Sequence, residues 1–274
     1  MVTIAPQHSD GPGFCVAKGD DFGRRGLFGR RHIGNRLASR VCKPLFGAPL
    51  DGSAEPESRK LVLERLRIEP AHTALLFVDV QNYNCTRNGG EYAKLSAAEL
   101  EQRYGYFFRT LKSCALPNMV LLQQACRDAG IEVIYTYIEN QTADGRDRSL
   151  DYKISGFNVP KGSPDARMVA ELAPGDDEIL FPKTSSSVFI STNIDYVLRN
   201  LGIRYLIIAG CLTDQCVDSA VRDACDLGYL VTVPTDACVT LSAQRQDSSL
   251  SNNRGYCRQI TTRQLLDEIA RLTA

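Results

Sequence analysis

From residue 74 onward, short apolar runs alternate with helix-like stretches, and most of the links between them are brief. "ALLFVD" (74–79) is an apolar run closed by a carboxylate, the pattern of a strand buried on both faces. A helical stretch follows over 97–113. A second helix is expected to start at Pro117, where a missing N–H costs little, and to end at Gly130. "IEVIYTY" (131–137) is β-branched and aromatic, which predicts a second strand. A loop rich in glycine and proline runs to about residue 164, long enough to suggest a role at a substrate site. A short helix (165–172), a strand (178–183), a helix (191–201), a strand (204–209), a helix (214–227) and a strand (229–233) are expected next. A strand near 256–260 and a helix over 263–272 close the chain. Such alternation predicts an α/β fold: a mostly parallel, roughly six-stranded sheet with helices on both faces.

In sheets of this kind, sites form where strands end at their carboxyl edge. Three chemically capable residues fall there: Asp79 after the first strand, Lys183 after the third and Cys216 after the fourth. Each also has a plain structural role available, as a strand-end cap, a solvated lysine and a buried thiol. Cys216 lies in the first turn of an expected helix, with Thr213 or Asp214 as its N-cap, and the partial positive charge there favours a thiolate. Cys211 is less well placed. A nucleophilic thiol needs a base, and His8, His32 and His72 all precede the first strong strand. A carboxylate, Asp79, is the remaining candidate, with Lys183 as the cation that lowers the thiol pKa.

Composition narrows the partners. Lys+Arg and Asp+Glu both count 32, so neither nucleic acid nor an anionic membrane is an expected partner. No apolar run reaches bilayer length. The ten cysteines are scattered with no C-x-x-C pair, which points to a reducing, cytoplasmic compartment and thiols that act as small hydrophobes. Residues 1–64 differ in composition from the rest. They are glycine- and arginine-rich, with no acidic residue between Phe22 and Leu50. This segment reads as a disordered extension or as an organelle-targeting one. The remainder, 65–274, reads as one domain.

Taken together, "LLFVDVQN", "FPKTSSSVFISTNIDYVLRNLGI" and "LIIAGCLTDQCVDSAVRDACDLGYLVTVPTDAC" resemble the isochorismatase-like cysteine hydrolases over roughly residues 70–270. The resemblance implies a three-layer αβα sandwich and an Asp79–Lys183–Cys216 triad. It also implies a cis peptide before Leu212, an oxyanion hole of the Leu212 and Cys216 backbone amides, and a dimer or tetramer.

Departures from the family pattern refine the expectation. Nicotinamidases of this family carry a metal site built from histidines, and "TYIENQTADGRD" (136–147) has none. Isochorismatases lack the nucleophilic cysteine, which this chain keeps. The expected activity is therefore hydrolysis of a small ureido, carbamoyl or amide compound through a thioester, with no metal and no cofactor. If the substrate is an acid, Arg146 or Arg148 is expected to grip it. Gln81 and Tyr137 are wall candidates by position. Three rivals stay open: a nicotinamidase-like amidase without the usual metal, an inactive member serving as a binding protein, and a redox pair of Cys211 and Cys216.

Overall fold

Thr73–Val78 forms β1, and all of its residues are buried. A computed structural model describes residues 67–273, so the extension assigned to residues 1–64 lies outside the described residues. The further strands are β2 (Glu132–Ile138), β3 (Ile179–Lys183), β4 (Tyr205–Cys211), β5 (Leu230–Pro234), β6 (Cys238–Val239) and β7 (Arg258–Ile260). The sheet runs β3-β2-β1-β4-β5-β7, with the two-residue β6 paired to β4 beyond the expected six. Every strand pairing is parallel.

The α-helices are α1 (Asn82–Cys85), α2 (Ala97–Thr110), α3 (Leu116–Asp128), α4 (Leu150–Ser155), α5 (Val188–Ser191), α6 (Ile194–Asn200), α7 (Asp218–Asp226), α8 (Ala243–Asn253) and α9 (Thr262–Thr273). They pack in two groups. α3 lies against α9 and β2, and α7 lies against α5, α8, β4 and β5, giving the αβα sandwich. The core between them is aliphatic and aromatic, with Leu75, Leu76, Phe77, Leu206, Ile207 and Ile208 fully buried.

Several expected elements differ in detail. The helix break expected before Pro117 does not occur. Leu111–Ala115 is a π-turn that joins α2 to α3, and the Leu116 N–H donates to the Leu111 carbonyl. The wider turn absorbs the donor that proline lacks, so the backbone stays helical. The expected helix over 165–172 is two 3₁₀ turns, Pro164–Ala166 and Ala170–Leu172. The expected helix 191–201 is α6, starting later at Ile194; the separate short α5 ends at Ser191, and the Thr192 hydroxyl accepts from the Ile194 N–H at 3.1 Å. α4 and α8 had no sequence-based expectation.

The first strand lies at the centre. The chain winds outward through β2 and β3, then returns to the other side of β1 as β4. The carboxyl ends of β1 and β4 therefore flank the switch point, where a crevice opens. Gly210 allows the two strands to close together there. Its φ is +130°, and a Cβ at this position would lie 2.2 Å from the Val78 carbonyl oxygen.

Candidate active site

Asp79 is the first residue past β1 and the only described non-glycine residue with positive φ, at +54°. That conformation turns the chain sharply out of the sheet and is uncommon for a residue with a side chain. The Asp79 N–H donates to the Thr136 carbonyl at 3.1 Å, and the Thr136 hydroxyl donates to Asp79 Oδ1 at 2.9 Å. Its Oδ2 lies 2.8 Å from Lys183 Nζ, forming the ion pair, and accepts no hydrogen bond of standard geometry.

Lys183 ends β3 and reaches the same point. Its ammonium also donates to the Ser185 carbonyl at 2.8 Å and lies 3.4 Å from Cys216 Sγ and 3.5 Å from the Tyr152 hydroxyl. Burial alone would pull the ammonium pKa down. Asp79, Cys216 and Tyr152 together reverse this and hold it above the usual lysine range. Its neighbours therefore favour the charged ammonium at this position.

Cys216 sits in a π-turn, Thr213–Val217, that leads into α7. The expected side-chain N-cap is absent, and Leu212 holds the cap position. Thr213 instead donates to Gln246 Oε1 at 2.8 Å, Asp214 pairs with Arg245 and Thr240, and the Ser249 hydroxyl donates to the Thr213 carbonyl at 3.1 Å. The unforeseen α8 thus clamps the turn that carries the thiol. Burial pushes the Cys216 pKa up; Lys183 pulls it down and Asp79 pushes it up again, leaving it at about 12. Burial thus favours the thiol form of Cys216, against the thiolate expected from the helix N-terminus. The Cys211–Leu212 peptide is cis.

Asp79, Leu212 and Cys216 open onto a cavity of about 410 Å³. Its walls include Asn84, Glu91, Tyr92, Tyr152, Phe157 and Gln215. None of these six was singled out as a site residue from the sequence. The "GGEY" turn brings two of them in, because Gly89 lets the chain cross over α1. A Cβ there would lie 2.3 Å from the Asn82 and Tyr83 carbonyl oxygens. Tyr152 and Phe157 pack ring to ring, with centroids 4.8 Å apart.

The two wall residues expected by position, Gln81 and Tyr137, and the two arginines expected to grip an acid, Arg146 and Arg148, do not line this cavity. Gln81 is fully buried and bridges to β2, accepting from the Ile138 N–H at 2.6 Å and donating to the Ile138 carbonyl at 3.0 Å. Tyr137 is absent from the lining, its place taken by the neighbouring Ile138. Arg146 pairs with Asp144 at 3.0 Å, and Arg148 donates to the Gly145 and Phe157 carbonyls at 3.0 and 2.8 Å, pinning the loop. Cys211 faces Cys85, with the sulfurs 3.5 Å apart. All cysteines among the described residues are free thiols. Among the described residues no three His, Cys, Asp or Glu side chains converge on a point that could hold a metal ion, and no helix is long and apolar enough to cross a membrane.

The isochorismatase domain model matches residues 73–264. This chain belongs to the isochorismatase family. The match covers the whole sheet and the site just described, so the chain is an enzyme of the hydrolase type. Among its relatives, ureidoacrylate amidohydrolase RutB of Rhizobium rhizogenes is 33% identical over 190 residues, which is 64% of this chain and 73% of that protein. RutB of Variovorax paradoxus is 28% identical over 237 residues, covering 79% of this chain and 88% of that protein. Among solved structures, a cysteine hydrolase from Pseudomonas syringae pv. phaseolicola superposes with a TM-score of 0.65 at 25% identity, over 77% of this chain and 98% of that one. N-carbamoylsarcosine amidase from Thermoplasma acidophilum shares the fold, with a TM-score of 0.55 at 20% identity over 69% and 96% of the two chains.

Proposed function

We propose that this enzyme is a cysteine-dependent amidohydrolase that cleaves a carbon–nitrogen bond of a small ureido, carbamoyl or amide compound. The relatives named as ureidoacrylate amidohydrolases support the reaction class. The observation that carries the mechanism is the meeting of a thiol, a carboxylate and a cation from three strand ends: Lys183 Nζ lies 2.8 Å from Asp79 and 3.4 Å from Cys216.

Burial favours the thiol form of Cys216, and in this mechanism Asp79 accepts its proton as the sulfur bonds to the substrate carbonyl carbon. The Leu212 and Cys216 backbone N–H groups are the proposed oxyanion donors, each contributing on the order of 10²–10³ in rate. Collapse of the tetrahedral intermediate breaks the C–N bond. Asp79 returns its proton to the departing ammonia or amine, and a thioester remains on Cys216. Asp79 then takes a proton from water, which attacks the thioester, and the sulfur leaves as the thiol. Lys183 carries no proton through the cycle. Its charge offsets the carboxylate and then the developing sulfur anion. The test is ammonia release from a panel of ureido, carbamoyl and amide compounds that includes nicotinamide. Release from one of the first two classes, lost in Cys216→Ala, supports the reading. Nicotinamide as the sole substrate would select the nicotinamidase-like alternative, and release that persists in Cys216→Ala overturns the reading.

A further inference from the structure

The cavity has an uneven supply of hydrogen-bonding groups. Asn84 is 8% exposed and lines it, and its side-chain oxygen Oδ1 has no partner. The rest of Asn84 is committed. Its Nδ2 donates to Cys211 Sγ at 3.4 Å, and its backbone carbonyl accepts from the Tyr92 hydroxyl at 2.8 Å. The amide orientation is fixed by its neighbour, because the Cys211 thiol donates to the Asp79 carbonyl at 3.4 Å and its sulfur is left as an acceptor for Nδ2. A buried acceptor with no partner, on a residue of the active-site cavity wall, calls for a donor on the ligand.

Glu91 is a second acceptor on the same wall. It has no ion-pair partner among the described residues. Burial pushes its carboxyl up to about 7, while the Tyr92 hydroxyl pulls it the other way. Asp151 adds a further carboxylate to the lining, and the lining contains no arginine, lysine or histidine. Lys183 lies behind Asp79 and is spent on it. Arg146 and Arg148, the groups expected to hold a substrate acid, are occupied in their own loop.

We propose that this site selects substrates whose non-reacting end presents N–H donors, as a terminal amide, a second ureido group or an ammonium does, with Asn84 Oδ1 and Glu91 as the receiving acceptors. A carboxylate at that end would meet the Glu91 and Asp151 carboxylates, with no cation in the lining to compensate. The inference rests on the amidohydrolase reading for its orientation in the cavity, with the reacting carbonyl at Cys216 and the donor end toward Glu91. It separates this chain from relatives named for ureidoacrylate, an acid.

The test uses three ligands of matched length: 3-ureidopropionate, 3-ureidopropionamide and (2-ureidoethyl)ammonium. Their affinities for Cys216→Ala enzyme are measured by calorimetry at pH 8. The amide and the ammonium compound are expected to bind about tenfold or more tightly than the acid. Glu91→Gln in that background should remove most of this preference by improving acid binding, and Asn84→Leu should weaken the amide without affecting the acid. Acid binding equal to or tighter than amide binding overturns the inference. So does a preference unmoved by Glu91→Gln, or no detectable binding of either donor-bearing ligand at millimolar concentration. Ammonia release by wild-type enzyme from the same compounds separates the two claims. Selective binding without hydrolysis of any of them would sink the amidohydrolase reading alone, whereas hydrolysis led by the acid would sink the selectivity alone.

Discussion

Lys183 and Asp79 form an ion pair at 2.8 Å with side chains 0% and 1% exposed, and they arrive from strands that are not neighbours in the sheet. The pair sets both the charge state of the site and a structural demand. Two charges removed from water are tolerable only together.

Lys183→Met should abolish turnover and also destabilise the fold by about 3–5 kcal/mol, because Asp79 is left buried and unpaired. The Asp79→Asn/Lys183→Met double variant should recover most of that stability and none of the activity. Urea denaturation alongside ammonia release checks both. A double variant as unstable as Lys183→Met would show that the pair is not the cause.

Cys216 should react as a thiol of high pKa. Iodoacetamide labelling of this residue should be slow at neutral pH and climb through pH 10 without levelling, since its pKa is pushed up to about 12. Peptide mass spectrometry across a pH series reads this directly. A plateau near pH 7 would mean a pre-formed thiolate and no need for Asp79 as base in the first step.

The strand frame and the meeting of Asp79, Lys183 and Cys216 at one sheet edge were legible because their signals are local. "ALLFVD" and "LIIAG" are apolar runs that only a two-faced buried strand explains, and both became β1 and β4. Asp79, Lys183 and Cys216 stand one or a few residues past such runs, so parallel topology brings them to one edge. The recognition wall gave no such signal. Asn84, Glu91 and Tyr152 lie on α1, on the turn after it and on α4, and what they face depends on crossings such as the one Gly89 permits. Arg146 and Arg148 illustrate the converse. Their charge suggested a ligand, but carbonyls and Asp144 in their own loop consumed it. α8 was missed because "AQRQDSSLSNN" offers a single large apolar residue, Leu250, and no stripe. Its Arg245, Gln246 and Ser249 side chains contact the turn that carries Cys216.

Glu91 makes stability depend on pH. The folded carboxyl holds its proton up to about pH 7, whereas an unperturbed one releases it near 4.5. Between these values the folded state binds more protons, so this contribution is full below pH 4.5 and is lost as pH rises past 7. Wild-type protein should therefore lose stability relative to Glu91→Gln between pH 5 and 8, by an amount on the order of 1–3 kcal/mol. Denaturant midpoints of the two proteins at both pH values measure it. Parallel midpoints would place Glu91 in water and out of the cavity wall.

Gly210→Ala should cost on the order of 3 kcal/mol or more, since the added methyl would sit 2.2 Å from the Val78 carbonyl oxygen and the backbone there is at φ +130°. Because β1 and β4 carry Asp79 and the Cys216 turn, kcat should fall even at temperatures where the variant is fully folded. A shift in melting temperature with kcat unchanged would mean that the strand spacing does not set the triad geometry.

Cys216→Ala is the most direct test of the chemistry. The variant should keep the circular dichroism and melting behaviour of the wild type, because the residue is small and buried at the end of a clamped turn. Its kcat/KM for ammonia release from the best ureido or amide substrate should fall by about 10³-fold or more. A folded Cys216→Ala enzyme that retains activity within about tenfold of wild type would contradict nucleophilic catalysis by this thiol, and with it the thioester mechanism.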